Sequence, residues 1–299
     1  MSIIATMPDI TYKVPKRRHP AMQFVVTQPL GAASLVFIVA LFIAGVFADF
    51  VVPYDPLALD YEAMLAAPSA GHWLGTDAFG RDVFSRIIFG ARTALAVGLL
   101  ASFFGSTVGA VIGVASAHFG GRIDMAIQGF MDVLLSFPII VLALAVVAML
   151  GKRLVGGIDV NLILAIAIPM MPRVERVVRS SALAIREMPY IDAARAAGYG
   201  NMRIIFRHMA PNVVAPYLIM FTAFIAQAIL LEASLSFLGL GVTEPTAAWG
   251  LMLSGTSQDF YAQAPWMIIF PGVAISLAVF SFNLFGDSLR DYLDPRLKV

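Results

Sequence analysis

Long apolar segments alternate with short polar ones along most of the chain. A membrane-spanning helix needs about 20 predominantly apolar residues, and five segments meet or approach that length. These five predicted spans are residues 30–52, 94–117, 125–150, 213–241 and 266–284. The pattern therefore predicts an all-α integral membrane protein.

A sixth span is predicted from a shorter apolar core, residues 162–171. Arg173, Arg176 and Arg179 follow it at intervals of three residues and form a basic stripe. Long arginine side chains can keep their charged ends in interfacial water while their stems lie against apolar surface. We expect this helix to cross the bilayer and to continue out of it.

The segment before the first span, residues 1–29, is a polar arm with a basic cluster at Lys13, Lys16, Arg17 and Arg18. Such a flank can open a signal peptide, but the apolar part of a signal peptide runs for only about 7–15 residues. The run at 30–52 is longer. We therefore predict an uncleaved first span preceded by a cytoplasmic arm.

The first loop, residues 53–90, is predicted to be extracytoplasmic and to end in an interfacial helix. Asp82 and Arg86 are four residues apart, a spacing at which opposite charges can pair on a helix. A matching apolar stripe is formed by Phe84, Ile87, Ile88 and Ala91. The rest of the chain, residues 91–299, is predicted to be a core with five spans.

The basic residues orient this topology, since cytoplasmic segments of membrane proteins carry an excess of lysine and arginine. With both termini inside, the 20 basic residues divide into 15 inside and 5 outside. The five outer ones are Arg81, Arg86, Arg92, Lys152 and Arg153. The same division places the polar stretch at residues 188–212 in the cytoplasm.

Composition agrees with a membrane protein. The chain is 60% hydrophobic and 13% charged, with a mean hydropathy of +0.85, well above an ordinary soluble domain. It contains no cysteine, which excludes disulfides and thiolate metal sites within it. A net charge of +1 gives no information about partners, and no feature suggests nucleic acid.

Residues 188–212 form the main polar stretch between two apolar segments. Pro189 suits the first turn of a helix, and the alanine-rich residues after it favour a short one. Gly198 stands where helices commonly end, because glycine adopts the left-handed conformation easily. A second short helix is expected to stop at Pro211. The stretch therefore predicts a polar helix–turn–helix, on which Ala193 and Ala194 leave a low surface for a partner.

These residues resemble the "EAA" loop of ATP-binding-cassette (ABC) importer permeases. Asp192-Ala193-Ala194, Gly198 and Pro211 have that loop's spacing, although Asp192 replaces the usual glutamate and Ala210 the usual leucine. Arg207-His208, with His208 where many members have isoleucine, is similar to the dipeptide/oligopeptide/nickel permease branch. Further blocks resembling this branch, in its order, are residues 75–92, 228–240, 249–250, 282–291 and 293–297.

The resemblance implies a type I importer permease fold, with six transmembrane helices and a cytoplasmic coupling helix. It also implies that this loop docks into an ATP-hydrolysing subunit. The coupling residues that it implies are Pro189, Tyr190, Asp192, Ala193, Ala194, Gly198, Arg207, His208 and Pro211. The chain would form half of a pathway for dipeptides or oligopeptides, or in close relatives for nickel chelates, glutathione or sugars.

The partners implied are a second homologous permease, two ABC ATPase subunits, an extracytoplasmic substrate-binding protein and the lipid bilayer of a bacterial inner membrane. ATP and Mg²⁺ would be bound by the ATPase subunits, with no cofactor in this chain. A phosphate-binding loop needs G-x-x-x-x-G-K-[ST]. The one Gly-Lys pair, Gly151-Lys152, is followed by Arg153. We therefore expect a transport subunit that is not itself an enzyme.

Two other classes of function compete with an importer subunit. A proton-coupled secondary transporter usually needs ionisable groups within its bundle, and Asp132 and Glu232 are the main candidates here. An intramembrane enzyme is weakly supported, because the sequence lacks an H-E-x-x-H pair and its four histidines fall outside the predicted spans.

Glu232 is the acid that lies well inside a long apolar segment. Two interpretations remain open for it. It is either a structural residue, hydrogen-bonded to a neighbouring helix or paired with Arg81, Arg86 or Arg92, or part of the outer mouth of the pathway. The helical neighbours Ala228, Ala233 and Leu235 favour close packing and hence the structural role.

Overall fold

A computed structural model describes residues 20–155 and 157–293, and almost all of the described chain is helical. The basic cluster from Lys13 to Arg18 and the C-terminal residues 294–299 lie outside the described residues. The described helices are α1 (Pro20–Thr27), α2 (Pro29–Val46), α3 (Ala48–Val51), α4 (Val83–Phe119), α5 (Gly121–Leu135), α6 (Ile139–Leu150), α7 (Val160–Arg186), α8 (Pro189–Ala196), α9 (Asn201–Ile204), α10 (Val214–Phe237), α11 (Trp249–Met252), α12 (Thr256–Asp259) and α13 (Trp266–Leu293). Two short strands, β1 (Leu154–Val155) and β2 (Ile158–Asp159), form an antiparallel hairpin.

Four helical stretches among the described residues are long and apolar enough to cross a bilayer. They are α2, α4, α13 and the continuous stretch Asn201–Phe237 that contains α9 and α10. The pair α5 and α6 makes a fifth if it counts as one broken span. The predicted fourth span corresponds to α7, which is one unbroken helix through the arginine stripe to Arg186. α7 carries too many charged residues to be recognised as a span from its composition. The number of six transmembrane helices therefore stays a prediction.

The predicted third span, residues 125–150, is not one straight helix. The chain bends by 95° between α5 and α6, at residues 136–138. Pro138 disfavours helical geometry at the residue before it and stands as the extended N-cap of α6 (φ −55°, ψ 134°). The proline therefore ends one helix and starts another in a new direction.

The centre of the bundle is the contact between α4 and α7. Gly105, Gly109 and Gly113 recur every four residues in the sequence, a spacing that predicts a face of small residues for close helix packing. A Cβ atom at Gly105, Gly109 or Gly113 would lie 2.9, 2.6 or 2.7 Å from a backbone oxygen of α7. Small residues at such positions let helix backbones approach closely in a membrane. The glycine spacing read from the sequence as a packing face is thereby confirmed.

Several predicted boundaries change. The interfacial helix expected at the end of the first loop is not separate, because residues 83–90 are the first turns of α4. Asp82 does not pair with Arg86. Asp82 is instead the N-cap residue of α4, and its carboxylate accepts hydrogen bonds from the backbone N–H and the hydroxyl of Ser85. At the other end of the chain, α13 continues as a helix to Leu293 rather than ending in a polar tail.

Candidate functional site

The predicted coupling loop folds as the short helix α8, separated from α7 by two residues. Pro189 occupies the first helical position, and Met188 before it is extended (φ −78°, ψ 139°). Ile191 and Ala194 are buried and anchor the helix. The outward face carries Tyr190, Asp192, Ala193 and Arg195, all exposed. Of the two alanines, Ala194 therefore anchors α8, while Ala193 stays on its surface.

Gly198 ends α8 in the manner predicted, with φ +77°. Its N–H donates to the carbonyl of Arg195 and the N–H of Tyr199 donates to that of Ala194, at 2.9 and 3.1 Å. This pair of bonds is the Schellman motif, in which the glycine position takes the left-handed conformation. A Cβ atom at Gly198 would meet nothing within 4 Å. Glycine is therefore required there for its backbone conformation rather than for lack of space.

Pro211 does not stop the second helix as expected. From Asn201 the chain is helical to Phe237, with a π-helical turn at Ile205–Met209 and a 3₁₀ turn at Ala210–Val213. The altered turns accommodate the proline, which has no N–H to donate. The coupling loop thus passes directly into a membrane-spanning helix.

An aromatic cluster joins α8 to this long helix. The ring of His208 stacks on Tyr199, with centroids 5.9 Å apart and planes at 23°, and lies 6.4 Å from the ring of Tyr190. The guanidinium of Arg203 lies over the Tyr199 ring, with its central carbon 3.9 Å from the ring centroid. The amide of Asn212 donates to the Tyr190 hydroxyl. His208 and Tyr190, both predicted coupling residues, therefore hold the two helices in a fixed relative position.

The loop also touches the end of α4. The Arg186 guanidinium donates to the carbonyl of Ala117 at 2.8 Å. The His118 ring and the Asn201 side chain are within hydrogen-bond distance at 3.2 Å. The residues on both sides of α8 are therefore attached to the same turn of α4.

Beyond these anchors the loop presents a mixed surface. Met202 and Phe206 are 65% and 69% exposed, and the exposed Arg203 and Arg207 stand beside them. Aromatic residues, methionine and arginine are enriched at protein–protein interfaces. Met202 was not recognised as part of this surface in the sequence, because one exposed methionine in a short helix carries no periodic signal.

Glu232 is completely buried in α10. Its Oε1 accepts a hydrogen bond from Ser236 at 2.7 Å, and its Oε2 has no hydrogen-bond partner among the described residues. Gly250 of α11 packs so closely on this part of α10 that a Cβ atom there would lie 2.0 Å from the Ala233 carbonyl oxygen. The alternative in which Glu232 pairs with an arginine is wrong, because Arg81, Arg86 and Arg92 bind groups in the loops and in α2. The observed donor, Ser236, lies on α10 itself rather than on a neighbouring helix.

Arg81 joins the two large loops that are predicted to be extracytoplasmic. It donates to Asp77 at 2.6 Å and to Glu244, in the loop before α11, at 2.8 Å. Burial lowers the pKa of the Arg81 guanidinium, but the hydrogen bond to Glu244 and the charge of Asp77 outweigh it, so the pKa is raised. Indole N–H groups reinforce the contact, with Trp249 donating to the Ile87 carbonyl and Trp266 to that of Thr76. This geometry is that of a structural brace.

A cavity of about 940 Å³ opens where all three predicted outer loops meet. Its walls are residues 52–57, residues 241–247, the β1–β2 hairpin and the first half of α4. Arg92 in the wall is already bound, to Asp49 at 2.7 Å and to the Gly45 carbonyl. Lys152 and Asp55 also line the cavity, which therefore offers both signs of charge within a largely apolar wall.

A polar network between α5 and α7 was missed in the sequence. Glu175 is fully buried and accepts a hydrogen bond from Gln128 at 2.7 Å. Arg179 pairs with Asp124 through two hydrogen bonds of 2.7 and 2.6 Å. The four-residue spacing of Asp124, Gln128 and Asp132 was the available signal. Asp124 and Asp132 pair with Arg179 and Arg176 of the basic stripe on α7, which was instead expected to face interfacial water.

Comparison with known proteins matches residues 105–299 to the family described as the binding-protein-dependent transport system inner membrane component. The dipeptide transport system permease protein DppC of Alkalihalophilus pseudofirmus is 40% identical over 291 residues, covering 97% of this chain and 94% of that protein. The glutathione transport system permease protein GsiD of Pectobacterium atrosepticum is 38% identical over 301 residues, covering 99% and 97%.

Among solved structures, a chain of the MetNI methionine ABC transporter, in an inward-facing conformation, is similar with a TM-score of 0.52. The similarity covers 71% of this chain and 98% of that one, at 19% sequence identity. At this identity the similarity concerns the fold alone, and it supports the type I importer permease fold expected from the sequence.

Proposed function

This chain belongs to the family of inner membrane components of binding-protein-dependent transport systems, and we propose that it forms half of the pathway of an ATP-driven importer of small peptides. A second, homologous permease would form the other half. Two ABC ATPase subunits would bind and hydrolyse ATP with Mg²⁺, and an extracytoplasmic binding protein would deliver the peptide. Both termini and the loop containing α8 would lie in the cytoplasm of a bacterial cell.

The observation that carries the proposal is the direct connection of α8 to two long helices. Two residues join it to α7, and the Gly198 turn joins it to the continuous helix Asn201–Phe237. A displacement of α8 by an ATPase subunit would therefore reach the bundle as a rigid-body movement of packed helices. A loop that only connected two spans would need neither this turn nor the His208 stacking.

The exposed surface of the loop suits such a partner. Tyr190, Met202 and Phe206 provide aromatic and sulfur-containing contacts, and the flanking arginines provide charge. A groove in the ATPase subunit that closes over α8 would bury these groups. Pro189, Asp192 and Ala193 would lie at the centre of that contact, with Arg207 at its edge.

The outer cavity is the proposed entry of the peptide into this subunit. Its volume lies within the range of about 300–1,000 Å³ typical of sites for small ligands. A peptide at neutral pH carries an ammonium and a carboxylate, and Asp55 and Lys152 are complementary to these two ends. The predominantly apolar wall would accept different side chains, as a carrier of peptides with varied sequence requires.

Small peptides are the preferred cargo because dipeptides and glutathione, which is itself a tripeptide, are named for the relatives. The test is uptake by proteoliposomes that contain the complete transporter and its binding protein. Labelled dialanine and glutathione are offered outside, with ATP supplied on the ATPase side. We expect ATP-dependent accumulation of at least one of them, reduced by excess unlabelled peptide.

Other outcomes have defined meanings. Uptake of nickel chelates or sugars without peptide uptake would overturn the proposed peptide substrate. It would leave the assignment as an ATP-driven importer intact. Uptake by this chain alone, driven by an ion gradient and independent of ATP, would identify a secondary transporter and overturn the proposal.

A further inference from the structure

Five side chains tie α5 to α7 and to the last turn of α4. This group, the α5–α7 clamp, consists of Ser116, Asp124, Gln128, Glu175 and Arg179. Ser116 donates to Asp124 at 2.5 Å and accepts from Gln128 at 3.2 Å. Together with the Gln128–Glu175 and Asp124–Arg179 contacts described above, these bonds form one connected network.

The clamp is the main polar attachment of a helix that is otherwise poorly buried. Met131 is the buried residue of α5, and the outward face of the helix exposes Ile123, Met125, Phe130 and Val133. The Glu175 side chain, in contrast, is fully buried, and its Oε2 lacks a hydrogen-bond partner among the described residues. A buried carboxylate that loses its remaining partner is strongly disfavoured, so Glu175 resists separation from Gln128.

The two ends of α5 differ from its clamped middle. Two glycines with positive φ stand at its start, Gly120 (φ +63°) just before it and Gly121 (φ +56°) as its first residue. The 95° bend at residues 136–138 follows it. α5 is therefore a helix bounded by a glycine turn and a 95° bend, and it is attached between them to α7, the helix that leads into the coupling loop.

We propose that α5 moves with α7 as one body during transport and passes the movement of the coupling loop on to α6. Asp124 and Glu175 are the positioning residues of this body. The inference rests on the proposed function, because it assigns the clamp a role in coupling ATP hydrolysis to uptake.

The first test removes the ion pair of the clamp. Asp124→Asn and Arg179→Gln should each raise the ATP hydrolysed per labelled peptide imported at least fivefold in assembled transporters. The exchange Asp124→Arg with Arg179→Asp should restore the ratio to within twofold. The matched control is Asp132→Asn, which breaks an exposed ion pair to Arg176 between the same two helices and should change the ratio less than twofold.

The second test replaces the clamp by a covalent tie. The chain has no cysteine, so Asp132→Cys with Arg176→Cys introduces its only thiols, and a short bifunctional thiol reagent can bridge them. Cross-linking should leave uptake above half of the untreated value in the otherwise native chain. In the Asp124→Asn background it should bring the coupling ratio back towards the native one.

The outcomes of these two tests decide whether α5 and α7 move as one body. A native coupling ratio in Asp124→Asn, or loss of uptake on cross-linking the otherwise native chain, would overturn the proposal. If Asp124→Asn does not assemble, the cross-link in the native background still decides. Absence of ATP-driven uptake of dialanine and glutathione by the unmodified transporter would instead refute the proposed function.

Discussion

At Gly198 the backbone conformation, and not the space around the residue, limits what a substitution can do. A side chain is disfavoured at φ +77°, although asparagine adopts this conformation more readily than other residues. We expect Gly198→Val to leave the protein inserted but to reduce ATP-coupled uptake at least tenfold, because α8 is no longer held in place. Gly198→Asn should keep most of the uptake.

The comparison separates geometry from bulk. Both side chains project into open space, so a purely steric effect would be similar for the two variants. Wild-type uptake by Gly198→Val, at normal membrane levels of the protein, would show that the turn is irrelevant to coupling.

Glu232 poses a question of charge against shape. Its burial, its hydrogen bond from Ser236 and the close approach of Gly250 favour a structural role. Glu232→Gln keeps the size and the acceptor oxygen, so it should retain assembly and much of the uptake. Glu232→Ala leaves a cavity and removes the acceptor of the Ser236 hydroxyl, and should lose assembly, measured by co-purification with the other subunits. If Gln assembles and couples ATP hydrolysis normally but fails to take up peptides, Glu232 belongs to the pathway.

At the scale of helices, the α4–α7 contact gives a direct test of packing. Gly109→Ala would place a Cβ atom 2.6 Å from the Met171 carbonyl oxygen, and overpacking typically costs about 1–3 kcal/mol. We expect a lower unfolding temperature in detergent. Gly129→Ala is the matched control, because a Cβ atom at this α5 position meets nothing within 4 Å. The control should be neutral or slightly stabilising, since alanine favours a helix over glycine. Equal effects of the two variants would contradict the close contact.

The elements that the sequence predicted well are those with a local cause. Pro189 and Gly198 set the two ends of α8 through backbone preferences that operate within a few residues. The glycine spacing of α4 exposes a packing face whichever helix occupies it. By contrast, Pro138 and Pro211 carry the same local signal and behave differently. The first produces a sharp bend, whereas the second is absorbed by π and 3₁₀ turns, because the surrounding packing decides between these outcomes.

The contacts of the clamp and the partner of Arg81 in the brace escaped prediction for a related reason. Arg179 is joined to Asp124 and Arg81 to Glu244 across 55 and 163 residues of sequence. The acids and the arginines were visible, but their partners depend on which helices and loops become neighbours. A charged side chain near a membrane is by default expected to face water, and this expectation is wrong for Arg179, which binds Asp124.

At the scale of the whole molecule, the absence of cysteine makes the topology testable by thiol labelling. Ala70→Cys lies in an exposed part of the first loop, and Arg122→Cys and Met202→Cys are exposed on the side of the coupling loop. A membrane-impermeant maleimide added to intact spheroplasts should label the first and spare the other two. All three should react after permeabilisation. Labelling of Met202→Cys from outside would exclude a cytoplasmic coupling loop.

The continuous helix from Asn201 to Phe237 is long enough to act as a lever between the coupling loop and the opposite end of the bundle. Its 37 residues span roughly 55 Å at 1.5 Å per residue. Turning such a rod by about 5° around its midpoint shifts its two tips by roughly 2.4 Å in opposite directions. A push on the tip beside Gly198 would thus draw the far tip, next to the outer cavity, the other way. A rigid tilt of this helix would therefore move its two ends in opposite directions, with no hinge required in between.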